Sequence, residues 1–189
     1  MNFKNLYYFV VFLYLISSTI SYSTEQPDIK NLVIHKEKKK IEDVYFFDSK
    51  NSRKTIEDYK NNISLINFWA TWCAPCKEEM PSLNEIKNII EFKDINIIPI
   101  NIGEEEIEKS KKFFEELKIN NLEIFSGHSG DLAKKFKLRG VPTTVILDKQ
   151  GYEVSRIIGS IDFKDEKFLN WLRNITVSYT HLTLPTMAI

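Results

Sequence analysis

Apolar and polar positions fall into two kinds of run along this chain. Ser64–Trp69 and Ile95–Ile102 are short and almost continuously apolar, as expected of strands buried on both faces. Other apolar positions recur at helical spacing. Met80, Leu83, Ile86, Ile89 and Ile90 predict a helix over Pro75–Phe92. Phe113, Phe114 and Leu117 share one face of a second helix over Glu104–Leu117, whose acidic start suits the positive end of a helix dipole. Leu122–Phe125 predicts a short strand and Gly130–Phe136 a short helix. Thr143–Leu147 and Glu153–Ile158 predict a hairpin across Asp148–Gly151, and Phe163–Ile175 a closing helix. Upstream, Val44–Phe47 and Arg53–Ile56 predict a smaller hairpin around Asp48–Ser52. Strands alternating with helices, then a hairpin and a helix, predict an α/β sandwich with a mixed sheet.

The two ends break this pattern. Lys4 precedes an unbroken apolar run, Leu6–Ile16, and small polar residues follow from Ser17 to Ser23. That is the pattern of an export signal. Residues 1–23 are therefore expected to be a signal peptide or a retained N-terminal membrane anchor. Extended to Ile20, the run is still shorter than the roughly 18–20 residues of a comfortable span. Either form places the rest of the chain outside the cytoplasm, periplasmic or held at the inner membrane. Residues 24–40 are polar and basic and predict a tether, which leaves a domain over residues 41–175. Val177–Ile189 loses the helical period and looks like one reading frame of a sequencing adapter, so residues 176–189 are expected to be a non-native tail.

The 189 residues carry no net formal charge, which removes any global case for a nucleic-acid partner. Only two cysteines are present, Cys73 and Cys76, in one Cys-X-X-Cys. Four-cysteine zinc sites and multi-bridge scaffolds are thereby excluded. His35, His128 and His181 lie far from the pair in sequence, so no metal site is expected. A structural disulfide is a poor use of the pair, because so short a loop removes little chain entropy. Thiol exchange suits it better. If a helix starts at Cys73, its sulfur meets unpaired backbone N–H groups and the positive dipole end, which favours the thiolate. Cys76 follows one turn on and can resolve a mixed disulfide. Pro75 is tolerated there, since first-turn amides have no helical partner to lose.

Phe68-Trp-Ala-Thr-Trp-Cys-Ala-Pro-Cys-Lys-Glu-Glu-Met-Pro81 resembles the active-site segment of the thioredoxin superfamily, and more closely that of TlpA/ResA-type exported oxidoreductases. Arg139-Gly-Val-Pro-Thr-Thr144, followed by Ile146-Leu-Asp148 and Gly151, resembles the family's cis-proline segment and hairpin. The resemblance covers roughly residues 41–175 and implies a thioredoxin-like three-layer sandwich. It implies Cys73 as nucleophile, Cys76 as resolving thiol and Pro142 as a cis-proline facing them. Val141 would offer backbone groups to an extended client, and Trp72 and Pro75 would flank the contact. Cytoplasmic thioredoxins carry a buried aspartate where this chain has Asn67, which cannot titrate. The exported branch has a glutamate at the position of Glu79, on the same helical face as Cys76. Partial burial would suit it to exchange protons with that thiol.

The family further implies no cofactor beyond the Cys73–Cys76 disulfide, a membrane thiol electron donor, and client proteins such as apocytochrome c or copper-site proteins of oxidase assembly. The Ala-Pro pair between the cysteines favours a reductant. A disulfide-forming oxidant and a redox-inert or copper-binding module remain as alternatives. A thiol peroxidase normally needs a Thr-X-X-Cys turn, which the chain lacks.

Overall fold

The computed structural model describes residues 27–181, with side chains as far as residue 177. Eight strands form one mixed sheet in the order β1-β8-β7-β4-β5-β6-β2-β3. They are β1 (Leu32–Lys40), β2 (Tyr45–Asp48), β3 (Arg53–Thr55), β4 (Ser64–Trp69), β5 (Asn96–Asn101), β6 (Phe125–Ser126), β7 (Thr143–Leu147) and β8 (Tyr152–Ile158). The helices are α1 (Ala74–Ile86), α2 (Ile107–Glu116), α3 (Ser129–Phe136) and α4 (Glu166–His181). β4, β5 and β6 run parallel to one another, and every other pairing is antiparallel.

All six residues of β4 are buried, as its continuous apolar run predicts. Successive side chains of a strand point to opposite faces, and here each face recruits aromatic rings. Trp69 packs on Phe113 and Phe114 of α2 at centroid distances of 4.7 and 5.6 Å. Phe68 packs on Phe136 of α3 at 4.7 Å. One core cluster joins α1, α2 and α4 to the sheet through Leu65, Trp69, Met80, Leu83, Phe168 and Leu172. The other lies under α3, with Phe46, Ile66, Phe68, Phe125 and Phe136. Helices on both sides of a central sheet are the three-layer thioredoxin-like sandwich that the sequence predicts.

Several boundaries differ from the sequence reading. The tether expected over residues 24–40 is corrected from Leu32 onward. Leu32–Lys40 is an edge strand, paired antiparallel with β8 from Leu32↔Ile157 to Lys40↔Tyr152. Its lysines hid it, since charge on one face is how an edge strand avoids pairing with other chains. His35 anchors it, with Nε2 2.5 Å from Oε1 of the fully buried Glu153. The helix predicted over Pro75–Phe92 ends at Ile86 and resumes as a 3-10 turn over Ile90–Phe92. α4 starts at Glu166 rather than Phe163 and runs through His181, past the predicted end at Ile175. The N-terminal segment read as signal or anchor lies outside the described residues. Among those described, no helix is long and apolar enough to cross a membrane.

Deleting the chain through Lys40 removes β1 and leaves Glu153 without its His35 partner. The expected loss is about 2 kcal/mol or more, read as a lower urea midpoint than that of a deletion through residue 26. Equal midpoints would mean β1 is no part of the folding unit.

Candidate active site

The end of β4 and the start of β7 lie side by side, because Phe68 pairs with Thr143 in antiparallel register. Whatever follows Trp69 therefore meets whatever precedes Thr143. The first is the Cys-X-X-Cys turn, and the second is Val141–Pro142, whose peptide bond is cis. Val141 packs against the core cluster that holds Cys73 and Cys76. No hydrogen bond among the described residues engages the Val141 backbone. The Pro142 carbonyl is taken, accepting from the Gly159 amide at 2.9 Å.

Cys73 is the N-cap of α1, in extended conformation, and its Sγ accepts a hydrogen bond from the Cys76 amide at 3.2 Å. That amide is one of the first-turn donors with no partner inside the helix. Once the disulfide opens, the same donor and the helix dipole stabilise a thiolate at Cys73. The two sulfurs are joined in a disulfide. Cys76 is fully buried, whereas Cys73 keeps 4% of its surface in contact with solvent. An incoming thiolate therefore reaches Cys73 and not Cys76. Pro75 is exposed in the first turn and Trp72, just ahead of the nucleophile, is 69% exposed.

Glu79 sits one turn beyond Cys76 on the buried face of α1. Its carboxyl is 2% exposed, and Oε1 accepts from Nδ2 of Asn67 at 2.8 Å. Oε2 meets no donor in hydrogen-bonding geometry among the described residues. Burial pushes the Glu79 pKa up from the ordinary 4.5 to about 7, against weaker opposing pulls from the Asn67 amide and the Ile161 backbone. A cleft of about 880 Å³, lined by Glu78, Glu79, Pro81, Ser160, Ile161 and Phe168 among others, connects this carboxyl to solvent. Charged groups on the same cleft are Asp28, Lys30, Asp162, Lys164, Asp165 and Lys167. Asp28 and Lys167 neutralise each other across it at 2.7 Å.

Two supports of the site were not foreseen from sequence. Asn67 was read only as the loss of a titrating aspartate. In the fold it faces α1, as its strand neighbours Leu65 and Trp69 do. Its amide donates to both Glu79 and the Thr144 hydroxyl, the latter at 2.9 Å. The second is Glu105, read as part of an acidic helix start. Its carboxylate oxygens lie 2.5 and 2.6 Å from the Thr71 hydroxyl, which donates to them and ties the turn before Cys73 to the loop after β5. No sequence signal marks either contact, since both bridge residues far apart in the chain. His128 is the N-cap of α3, and its Nδ1 accepts from the Asp131 amide. His35 is held by Glu153 and Lys39.

A disulfide at the head of a helix, with a cis-proline just before the neighbouring central strand of a mixed sheet, defines a thioredoxin-fold thiol–disulfide oxidoreductase. The chain belongs to the AhpC/TSA family, whose profile matches residues 36–152. It is 31% identical over 124 residues to the thiol-disulfide oxidoreductase ResA of Geobacillus kaustophilus (strain HTA426), covering 66% of this chain and 70% of that one. Similarity to ResA of Bacillus anthracis is 26% identity over 170 residues, 88% of this chain and 94% of that protein. Among solved structures, a secreted thiol-disulfide isomerase from Corynebacterium glutamicum matches with a TM-score of 0.65 at 18% identity, over 83% of this chain and 96% of the other. StoA from Bacillus subtilis matches with a TM-score of 0.56 at 19% identity, over 77% and 99% of the two chains. These structural matches support the fold.

The raised Glu79 pKa makes stability depend on pH in a definite sense. The folded state holds this proton more tightly than the unfolded chain does. The stabilisation it confers is present below about pH 4.5 and is lost as pH rises to about 7. Glu79→Gln keeps a neutral side chain at every pH. The stability of the oxidised wild type relative to this variant should therefore fall by about 3 kcal/mol between pH 4 and pH 8. Urea unfolding across that range measures it, and a difference that stays flat with pH would count against a buried titrating carboxyl.

Proposed function

We propose that the protein reduces disulfides in client proteins outside the cytoplasm. The observation that carries this reading is the division of labour between the two sulfurs. One belongs to a residue that keeps 4% of its surface exposed at a helix N-terminus, and the other to a fully buried residue one turn from a carboxyl with a pKa of about 7.

In the reduced protein the Cys73 thiolate attacks one sulfur of a client disulfide. The client's other sulfur leaves as a thiolate and takes a proton from solvent. Cys76 then gives its proton to the Glu79 carboxylate and attacks Cys73. The Cys73–Cys76 bond forms and the client's second sulfur departs, protonated in turn. The client gains two electrons and the dithiol loses two. A membrane thiol carrier would restore the dithiol.

Val141 supports a client backbone in this scheme, with its amide and carbonyl free to pair with an extended segment. The exposed Trp72 and Pro75 supply apolar contact beside the nucleophile. The reductant direction rests on the Ala-Pro pair inside the motif, and the exchange activity on the relatives named thiol-disulfide oxidoreductase. Location outside the cytoplasm rests on the apolar run after Lys4. Apocytochrome c haem-site cysteines and copper-site cysteines are the client classes this reading favours.

Cys76→Ser should accumulate mixed disulfides with clients in cells, because no internal thiol can release them. Cys73→Ser should accumulate few. Mass spectrometry of the trapped species names the client. A reduction potential near that of strong oxidants, about −120 mV, would reverse the proposed direction. Failure of the purified protein to speed insulin reduction by dithiothreitol would remove the exchange activity itself.

A further inference from the structure

The core cluster under α3 stops at β7. Beyond it a cavity of about 470 Å³ opens over β8 and β1, away from the Glu79 cleft. Its lining carries Lys39, Lys40, Lys135, Lys137, Arg139 and Arg156 against a single carboxylate, Glu153. That carboxylate is already consumed. Burial alone would push the Glu153 carboxyl up, but hydrogen bonds and charge from Arg156 and His35 outweigh it and hold it below the usual range. Arg156 meets both its oxygens, at 2.6 and 2.8 Å. Two rim cations have exposed partners, Lys40 with Glu42 and Lys135 with Asp43. Such pairs contribute little and open readily in water. Lys137 and Arg139 have no ion-pair partner among the described residues, and Lys39 touches only the His35 ring. The chain as a whole is neutral, so this excess is local.

Arg139 and Thr143, both on the cavity wall, bracket Val141 and Pro142 in the chain. A client strand lying along Val141 would therefore run onto the basic cavity. We propose that this cavity recognises an acidic segment of the client next to its disulfide, and so selects among chains that the backbone contacts alone cannot tell apart. This rests on the exchange reading above.

The test uses the full chain, reduced, and two otherwise identical peptides with an internal disulfide, one flanked by glutamates and one by lysines. Stopped-flow rates give kcat/KM for each. At low ionic strength the glutamate peptide should be favoured about tenfold, and the preference should fall toward parity near 0.5 M salt, where charges are screened within about 4 Å. Lys39→Glu combined with Lys137→Glu should abolish or invert the ratio. A ratio is insensitive to a general loss of folded protein. Equal rates for both peptides in the wild type would overturn the proposal while leaving the exchange reading intact. No exchange with either peptide would remove both. Binding to phosphatidylglycerol vesicles that the double variant loses, with no peptide preference, would overturn it in favour of a membrane surface.

Discussion

Everything at the site hangs on the burial of β4 on both faces. A strand covered on both sides cannot slip by one residue, because slippage would exchange the two sets of side chains between the layers. Trp69 is locked against α2 and Phe68 against α3, so the direction of every other residue of the strand is settled by alternation. Asn67 must face α1, and the turn after Trp69 must emerge where β7 begins. The position of Cys73 at the head of α1, the carboxyl one turn past its partner and the loop opposite are consequences of that one register.

Asn67 links these parts. A buried amide that donates to a helix carboxyl and to a hydroxyl on the neighbouring strand joins α1 to the segment after the cis-proline. It also supplies the hydrogen bond that opposes complete neutralisation of Glu79. Without that donor, burial would be opposed only by the Ile161 backbone and the carboxyl would hold its proton more tightly. The carboxyl's poise near neutrality is thus a balance between a dry environment and two opposing donors, the Asn67 amide foremost.

Strong local signals were legible in the sequence, and contacts between distant residues were not. The buried run Ser64–Trp69, the spacing of Met80, Leu83 and Ile86, and the two turn-bounded strands of the last hairpin each announce themselves within a few residues. Cys73, Cys76 and Glu79 fall on one helix, so their relation follows from helical geometry alone. β1 escaped because its exposed face is lysine-rich and its partner, β8, lies more than a hundred residues away. The Thr71–Glu105 brace escaped for the same reason, as an acidic run before a helix reads identically whether or not one member reaches back to a hydroxyl. Residues 177–181 lack an obvious period, yet they continue α4, since an existing helix extends at far lower cost than a new one begins.

The unequal exposure of the two sulfurs gives the intermediate a fixed handedness in time. In the proposed exchange a client is joined to residue 73, and the residue that displaces it from within is fully buried. Release of the client then has a route from within α1 that calls on no further thiol from solution.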